Sequence, residues 1–158
     1  MVSMEQLYSL YPEELRRPQF REFILKEYIQ YKMLESISGS QYVTKISFNG
    51  GTNLRIIHNN RRFSEDLDFD AFDLSYDEFR ILTDIVVEQL RASGYEATAI
   101  DKEKDAHLQA FRRNIHFPQL LYRLGLTLHK NKRFLIKIEA QAHGYLYRSL
   151  RVILLFAS

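Results

Sequence analysis

The stretch Arg62-Phe63-Ser64-Glu65-Asp66-Leu67-Asp68-Phe69-Asp70-Ala71-Phe72 decides how the rest of this chain is read. From Asp66 to Phe72 acidic and apolar residues alternate. This is the period-two pattern of a strand, with Leu67 and Phe69 turned inward and the acids turned the other way. Side chains two apart on a strand leave the same face about 6 to 7 Å from one another, so Asp66, Asp68 and Asp70 crowd like charges along one line. Such crowding needs an offset. A pair of divalent cations about 3.5 to 4 Å apart, bridged by carboxylates, provides one and serves in-line phosphoryl and nucleotidyl displacement. Oxygen ligands without thiols favour magnesium or manganese. Standing alone, an Asp-x-Asp pair is more often a charged, solvated edge strand.

Two further stretches change that balance. Gly50-Gly51-Thr52 lies upstream, with thirteen residues between Thr52 and Asp66. A strand read over Tyr42 to Phe48 leads into it and a short helix read over Thr52 to His58 leaves it. Free backbone N–H groups and small residues at such a junction let a triphosphate approach. A Gly-Gly pair by itself is more often a plain turn, because glycine is the default residue for positive φ. Downstream, the strand read over Arg133 to Gln141 puts Leu135, Lys137, Glu139 and Gln141 on one face and Phe134, Ile136, Ile138 and Ala140 on the core face. Glu139 is then placed to complete a metal site or activate an attacking hydroxyl, and Lys137 to neutralise phosphate charge. The competing reading is a cross-strand ion pair on a wet sheet face.

Around these stretches, apolar residues from Phe20 to Ile37 recur at three and four, predicting a helix from Pro18 to Ser38. Ser75 and Glu78 form a capping box for a second long helix, marked by Phe79, Leu82, Val86 and Leu90 and stopped at Gly94. Tyr95 to Ile100, Gln109 to Phe117 and Leu120 to Thr127 read as strands, the last forming a hairpin with Arg133 to Gln141 through Lys130-Asn131-Lys132. Helices first and strands later, without regular alternation, predict an α+β fold: a mixed β-sheet with helices packed on it, in a single domain over 1–158.

Bulk properties narrow the function. The apolar share of 46% supports a real core, and 22 Lys and Arg against 20 Asp and Glu leave only +2, so total charge gives no nucleic-acid footprint. A local cluster of Arg112, Arg113, Arg123, Lys130, Lys132 and Arg133 reads as a solvated face before it reads as an RNA track. The absence of cysteine removes thiolate metal sites and suits a reducing cytoplasm, and five scattered histidines give no ligand spacing. No apolar run approaches a membrane span. The apolar run Val152 to Phe156 stops two residues before Ser158, which reads as the end of an interrupted domain.

With Gly50-Gly51-Thr52-x-Leu54-Arg55 followed by Arg62-Phe63-Ser64-Glu65-Asp66-Leu67-Asp68-Phe69, the sequence resembles the AbiEii family of abortive-infection nucleotidyltransferases, within the DNA polymerase beta superfamily. The likeness extends to Lys26-Glu27-Tyr28 and to Lys137-Ile138-Glu139-Ala140-Gln141. It implies a nucleotidyltransferase that uses a nucleoside triphosphate and magnesium or manganese, acting as the toxin of a type IV toxin–antitoxin pair. tRNA acceptor ends are the targets in some relatives. Carried over residue by residue, it makes Asp66 and Asp68 the metal-binding pair and Gly50, Gly51 and Thr52 the triphosphate turn, with Arg55 and Ser64 beside them. Lys137 and Glu139 become further catalytic residues. Family members continue into a helical C-terminal part with an Arg-x-Lys-x-Arg-Asp motif that this sequence does not contain. The alternative is therefore a truncated, non-catalytic remnant or a module that binds a triphosphate or an antitoxin.

Overall fold

The computed structural model describes residues 1–49, 63–101 and 110–142. Gly50, Gly51, Thr52 and Arg55, the short helix read over Thr52 to His58, and the run Val152 to Phe156 lie outside the described residues. Among the described residues the helices are α1 (Met4–Tyr8), α2 (Arg21–Ser38), α3 (Tyr76–Ala92) and α4 (Leu120–Arg123). The strands are β1 (Ile46–Asn49), β2 (Leu67–Ala71), β3 (Thr98–Asp101), β4 (Ala110–His116) and β5 (Leu135–Ala142). The fold is α+β, and the five strands form one mixed sheet in the order β1-β2-β5-β4-β3. β2 and β5 run parallel and every other neighbouring pair is antiparallel.

The sheet has one buried and one open face, set by the alternation along each strand. Leu67, Phe69 and Ala71 of β2 and Ile136, Ile138 and Ala140 of β5 are all buried. They join Ile24, Leu25, Ile29, Met33, Leu34 and Ile37 of α2 and Phe79, Leu82, Val86, Val87 and Leu90 of α3 in one core cluster. The intervening residues of β2 and β5 turn to the other face, where Asp68, Asp70, Lys137 and Glu139 are only partly covered.

Local chemistry accounts for the long helices. The Ser75 hydroxyl accepts from the Glu78 backbone N–H while the Glu78 side chain accepts from the Ser75 N–H, so the expected capping box starts α3. Gly94, at φ +93°, ends it: the Gly94 and Tyr95 N–H groups donate back to the carbonyls of Arg91 and Leu90, a Schellman closure. The N-terminal part of the first predicted helix is a 3₁₀ turn, Pro18–Phe20, and α2 proper begins at Arg21.

Three readings are corrected. Leu120 to Thr127 is not a strand. Gln119 sits in the left-handed region at φ 58° after Pro118, Leu120–Arg123 forms α4, and Gly125 at φ +73° turns the chain again. Leu120, Leu121 and Leu124 follow a helical rather than an alternating spacing, and Leu120 and Leu121 bury together. The turn at His129–Lys132 exists but carries the chain from α4 into β5, whose partners are β2 and β4. The first strand is likewise shorter than read, because Val43–Lys45 is a 3₁₀ turn and pairing begins at Ile46.

Candidate active site

Register places the expected residues. In the parallel β2–β5 ladder Asp68 stands opposite Glu139 and Asp70 opposite Gln141. In the antiparallel β4–β5 ladder Arg112 stands opposite Glu139 and Asn114 opposite Lys137. A row therefore crosses the open face as Asn49, Asp68, Glu139 and Arg112. Asp66 immediately precedes β2, in line with Lys137, whose Nζ lies 3.3 Å from Asp66 Oδ2 and 3.7 Å from Glu139 Oε2. Asp66, Asp68, Lys137 and Glu139, chosen from sequence as separate motifs, are thus brought together. Asp70 projects one row further along, beside Ser47 and Gln141.

The electrostatics follow from the crowding. Burial pushes the Asp68 carboxyl above its ordinary value, and the negative charges of Glu139 and Asp66 push it the same way, against the pull of Lys137. Glu139 is held more firmly: Arg112 Nε donates to its Oε2 at 2.7 Å. Sequence reading grouped Arg112 with the surface bases and missed this contact, which depends on β4 lying beside β5. The rest of that basic group is largely committed elsewhere. Arg113 is buried and bonded to Asp84 and Asp101, Arg123 pairs with Glu96, and Lys132 pairs with Glu22.

Ser64 stands two residues before Asp66, and its carbonyl accepts a hydrogen bond from Gln30 Nε2 of α2 at 3.0 Å. Beside it Phe63 stacks on Phe23, ring centroids 5.6 Å apart.

Cavities open on two sides of the candidate site's sheet and helices. One of about 430 Å³, between α2 and α3, is lined by residues such as Lys32, Glu35 and Gln89 and includes none of Asp66, Asp68, Asp70 and Glu139. The other, about 460 Å³, opens on the β3–β4 side and is lined in part by Ile100, His116, Asn131 and Arg133. His116 shares the open face with Glu139 but lies nearer the start of β5, opposite Leu135. Burial, then the charge of Arg133, hold the His116 imidazole below its ordinary value.

Among the described residues no three His, Cys, Asp or Glu side chains are already gathered around a metal position. The donor set nevertheless fits a hard cation. Asp66, Asp68 and Glu139 offer only carboxylate oxygens, and the charge they accumulate at Asp68 is what a divalent ion offsets.

A family model described as "Nucleotidyl transferase AbiEii toxin, Type IV TA system" matches residues 32–144. The chain belongs to the AbiEii family. The match spans β1 to β5, so every strand that carries the acids lies within it. Among solved structures, the chain is similar to a Helicobacter pylori protein described as a candidate nucleotidyltransferase, with TM-score 0.52 and 18% identity over 75% of this chain and 44% of that one. The structure of JHP933 from Helicobacter pylori gives TM-score 0.48 and 19% identity over 78% of this chain and 45% of that one. The first likeness is one of fold, and the chain spans less than half the length of either structure. A search of curated proteins finds no match. No described helix is long and apolar enough to cross a membrane.

Proposed function

We propose that this chain transfers a nucleoside monophosphate from a nucleoside triphosphate to a hydroxyl acceptor, with pyrophosphate leaving. The observation that carries the reading is the pairing of Asp68 with Glu139 across the β2–β5 ladder, with Asp66 in line beside Lys137, on one open face. In this reading Asp66 and Asp68 hold magnesium or manganese. When bound, such an ion stabilises charge on the reacting phosphate and lowers the pKa of the attacking hydroxyl.

The chain's own groups take the remaining roles. Glu139 completes the acidic set or accepts the proton of the attacking hydroxyl, its orientation fixed by Arg112. Lys137 supplies a positive charge between two acids, from which it can turn to a phosphate oxygen. Gly50, Gly51 and Thr52, with Arg55 and Ser64 as neighbours, form the triphosphate turn by their match to the family motif. What supports this division is that β1 ends at Asn49, opposite Asp68, and the glycines follow it in the sequence. The acceptor to test first is a tRNA 3′ end. The family supports a role as the toxin of a type IV pair, with an antitoxin protein as partner; in this reading the chain works in the cytoplasm, which suits its lack of cysteine.

The test is incubation of the purified chain with each labelled nucleoside triphosphate, magnesium or manganese, and tRNA, beside an Asp66→Ala, Asp68→Ala double variant. Label in the RNA with stoichiometric pyrophosphate, lost in the double variant, is the expected result. Equal transfer by the double variant, or none by the folded wild type with any triphosphate, overturns the proposal.

A further inference from the structure

We infer that Gln30 is a positioning residue for the acidic pair, acting through the carbonyl of Ser64; the inference rests on the reading of Asp66 and Asp68 given above. Phe23, Lys26 and Gln30 lie three and four residues apart on α2 and so share one side of the helix. Each grips the segment that leads into β2. Phe63 stacks on Phe23 at 5.6 Å, Lys26 Nζ lies 3.5 Å from Glu65 Oε2, and Gln30 Nε2 donates to the Ser64 carbonyl at 3.0 Å.

The same side of α2 also reaches the segment that leads into β5. Lys26 Nζ lies 5.3 Å from the centroid of the Phe134 ring, and Glu22 pairs with Lys132. β2 and β5 are parallel, so their leading ends lie at the same edge of the sheet. One helix face therefore holds the approaches to both strands that carry acids. The spacing between Asp66, Asp68 and Glu139 depends on how those approaches are fixed.

Gln30 differs from its neighbours in a way that points to function. It is 1% exposed, and its Oε1 has no hydrogen-bond partner among the described residues. A buried acceptor left unmade opposes folding, and leucine or methionine of similar volume would not carry it. What glutamine supplies that they cannot is the N–H donated to Ser64, two residues from Asp66.

The experiment replaces Gln30 in the full chain by methionine, with Gln30→Leu as a second variant should the first misfold. Two readouts are taken: amide hydrogen exchange across residues 64–68, and kcat and KM for transfer. The expected result is a melting temperature held or raised, faster exchange across 64–68, and a kcat lower by about 10- to 100-fold with KM for the triphosphate little changed, as for loss of a group that orients a metal ligand. Unchanged exchange in a folded variant overturns the inference, and so does an unchanged kcat or a loss confined to KM. A wild-type chain that transfers nothing would sink the proposed function instead, while the exchange readout would still decide whether Gln30 holds this segment.

Discussion

Glu139 faces Asp68 on one side and Arg112 on the other, a carboxylate shared between a like charge from β2 and a guanidinium from β4. The Arg112 contact is short, 2.7 Å to Oε2, while Lys137 approaches the same oxygen at 3.7 Å. Asp68 thus lies among like charges, Glu139 and Asp66, that act on it in the same direction as its burial. That arrangement opposes folding of the free protein and favours binding of a cation, the usual opposition between stability and function at a site.

Asp68→Asn should therefore separate the two properties. Removing the charge relieves repulsion with Glu139 and Asp66 at a position where burial already disfavours ionisation. The melting temperature at neutral pH should be held or raised, while transfer falls by at least about 100-fold, the upper end of losses from groups that only orient a ligand. Thermal unfolding and initial rates on the same preparation check both. A destabilised variant with intact transfer would contradict the charge argument and the assignment together.

Arg112→Met carries the opposite sign. Among the described residues it leaves Glu139 beside Asp68 with the more distant Lys137 to offset it, so stability should fall by about 1–2 kcal/mol, the lower part of the range for a hydrogen bond to a charged group because solvent screens this partly exposed pair. A double-mutant cycle with Glu139→Gln measures the coupling. If the two single changes simply add, the contact contributes nothing beyond its parts.

Much of this geometry was legible in the chain because strand alternation is a short-range signal. The inward set Leu67 and Phe69, the shared face of Lys137 and Glu139, and the Ser75–Glu78 capping box each need only a few neighbouring residues to be read. Arg112 was not legible as a partner of Glu139, because 27 residues separate them and only the sheet order brings β4 beside β5. Gln30 was hidden for the same reason, its contact with Ser64 spanning 34 residues. Leu120 to Thr127 has the apolar content of a strand but the leucine spacing of a helical turn, and the left-handed Gln119 and Gly125 that bracket the turn are set by the fold rather than by residue type alone.

Arg113 should show that the two ends of one ion-pair network are not equivalent. Its side chain is 7% exposed and donates to Asp101, Asp84, Thr83 and the Arg80 carbonyl, tying β4 to β3 and α3. Burial works against its charge, but the hydrogen bonds and charges of Asp84 and Asp101 outweigh that and leave its pKa raised. The side chains of those carboxylates are 60% and 41% exposed, so water can take over their solvation. Arg113→Leu should cost about 1–3 kcal/mol, whereas the Asp84→Ala, Asp101→Ala pair strands a buried cation and should cost about 3–5 kcal/mol. Denaturant unfolding of the two proteins reads the order directly, and the reverse order would refute the explanation.

His116 sets an acid-side limit on stability. Its folded pKa lies below the ordinary 6.5, through burial and then the charge of Arg133, so as pH falls the unfolded chain takes up this proton first. The neutral imidazole therefore contributes stability that is present above pH 6.5 and is lost as pH drops from there through the folded value. In His116→Asn the fall in melting temperature between about pH 7 and pH 5 should be shallower than in the wild type, since one proton-linked group has been removed. The comparison uses the difference between the two proteins at each pH, which cancels the titration of carboxylates common to both. Parallel curves would mean that His116 has the same pKa folded and unfolded, and that the Arg133 charge is screened by solvent at this cavity.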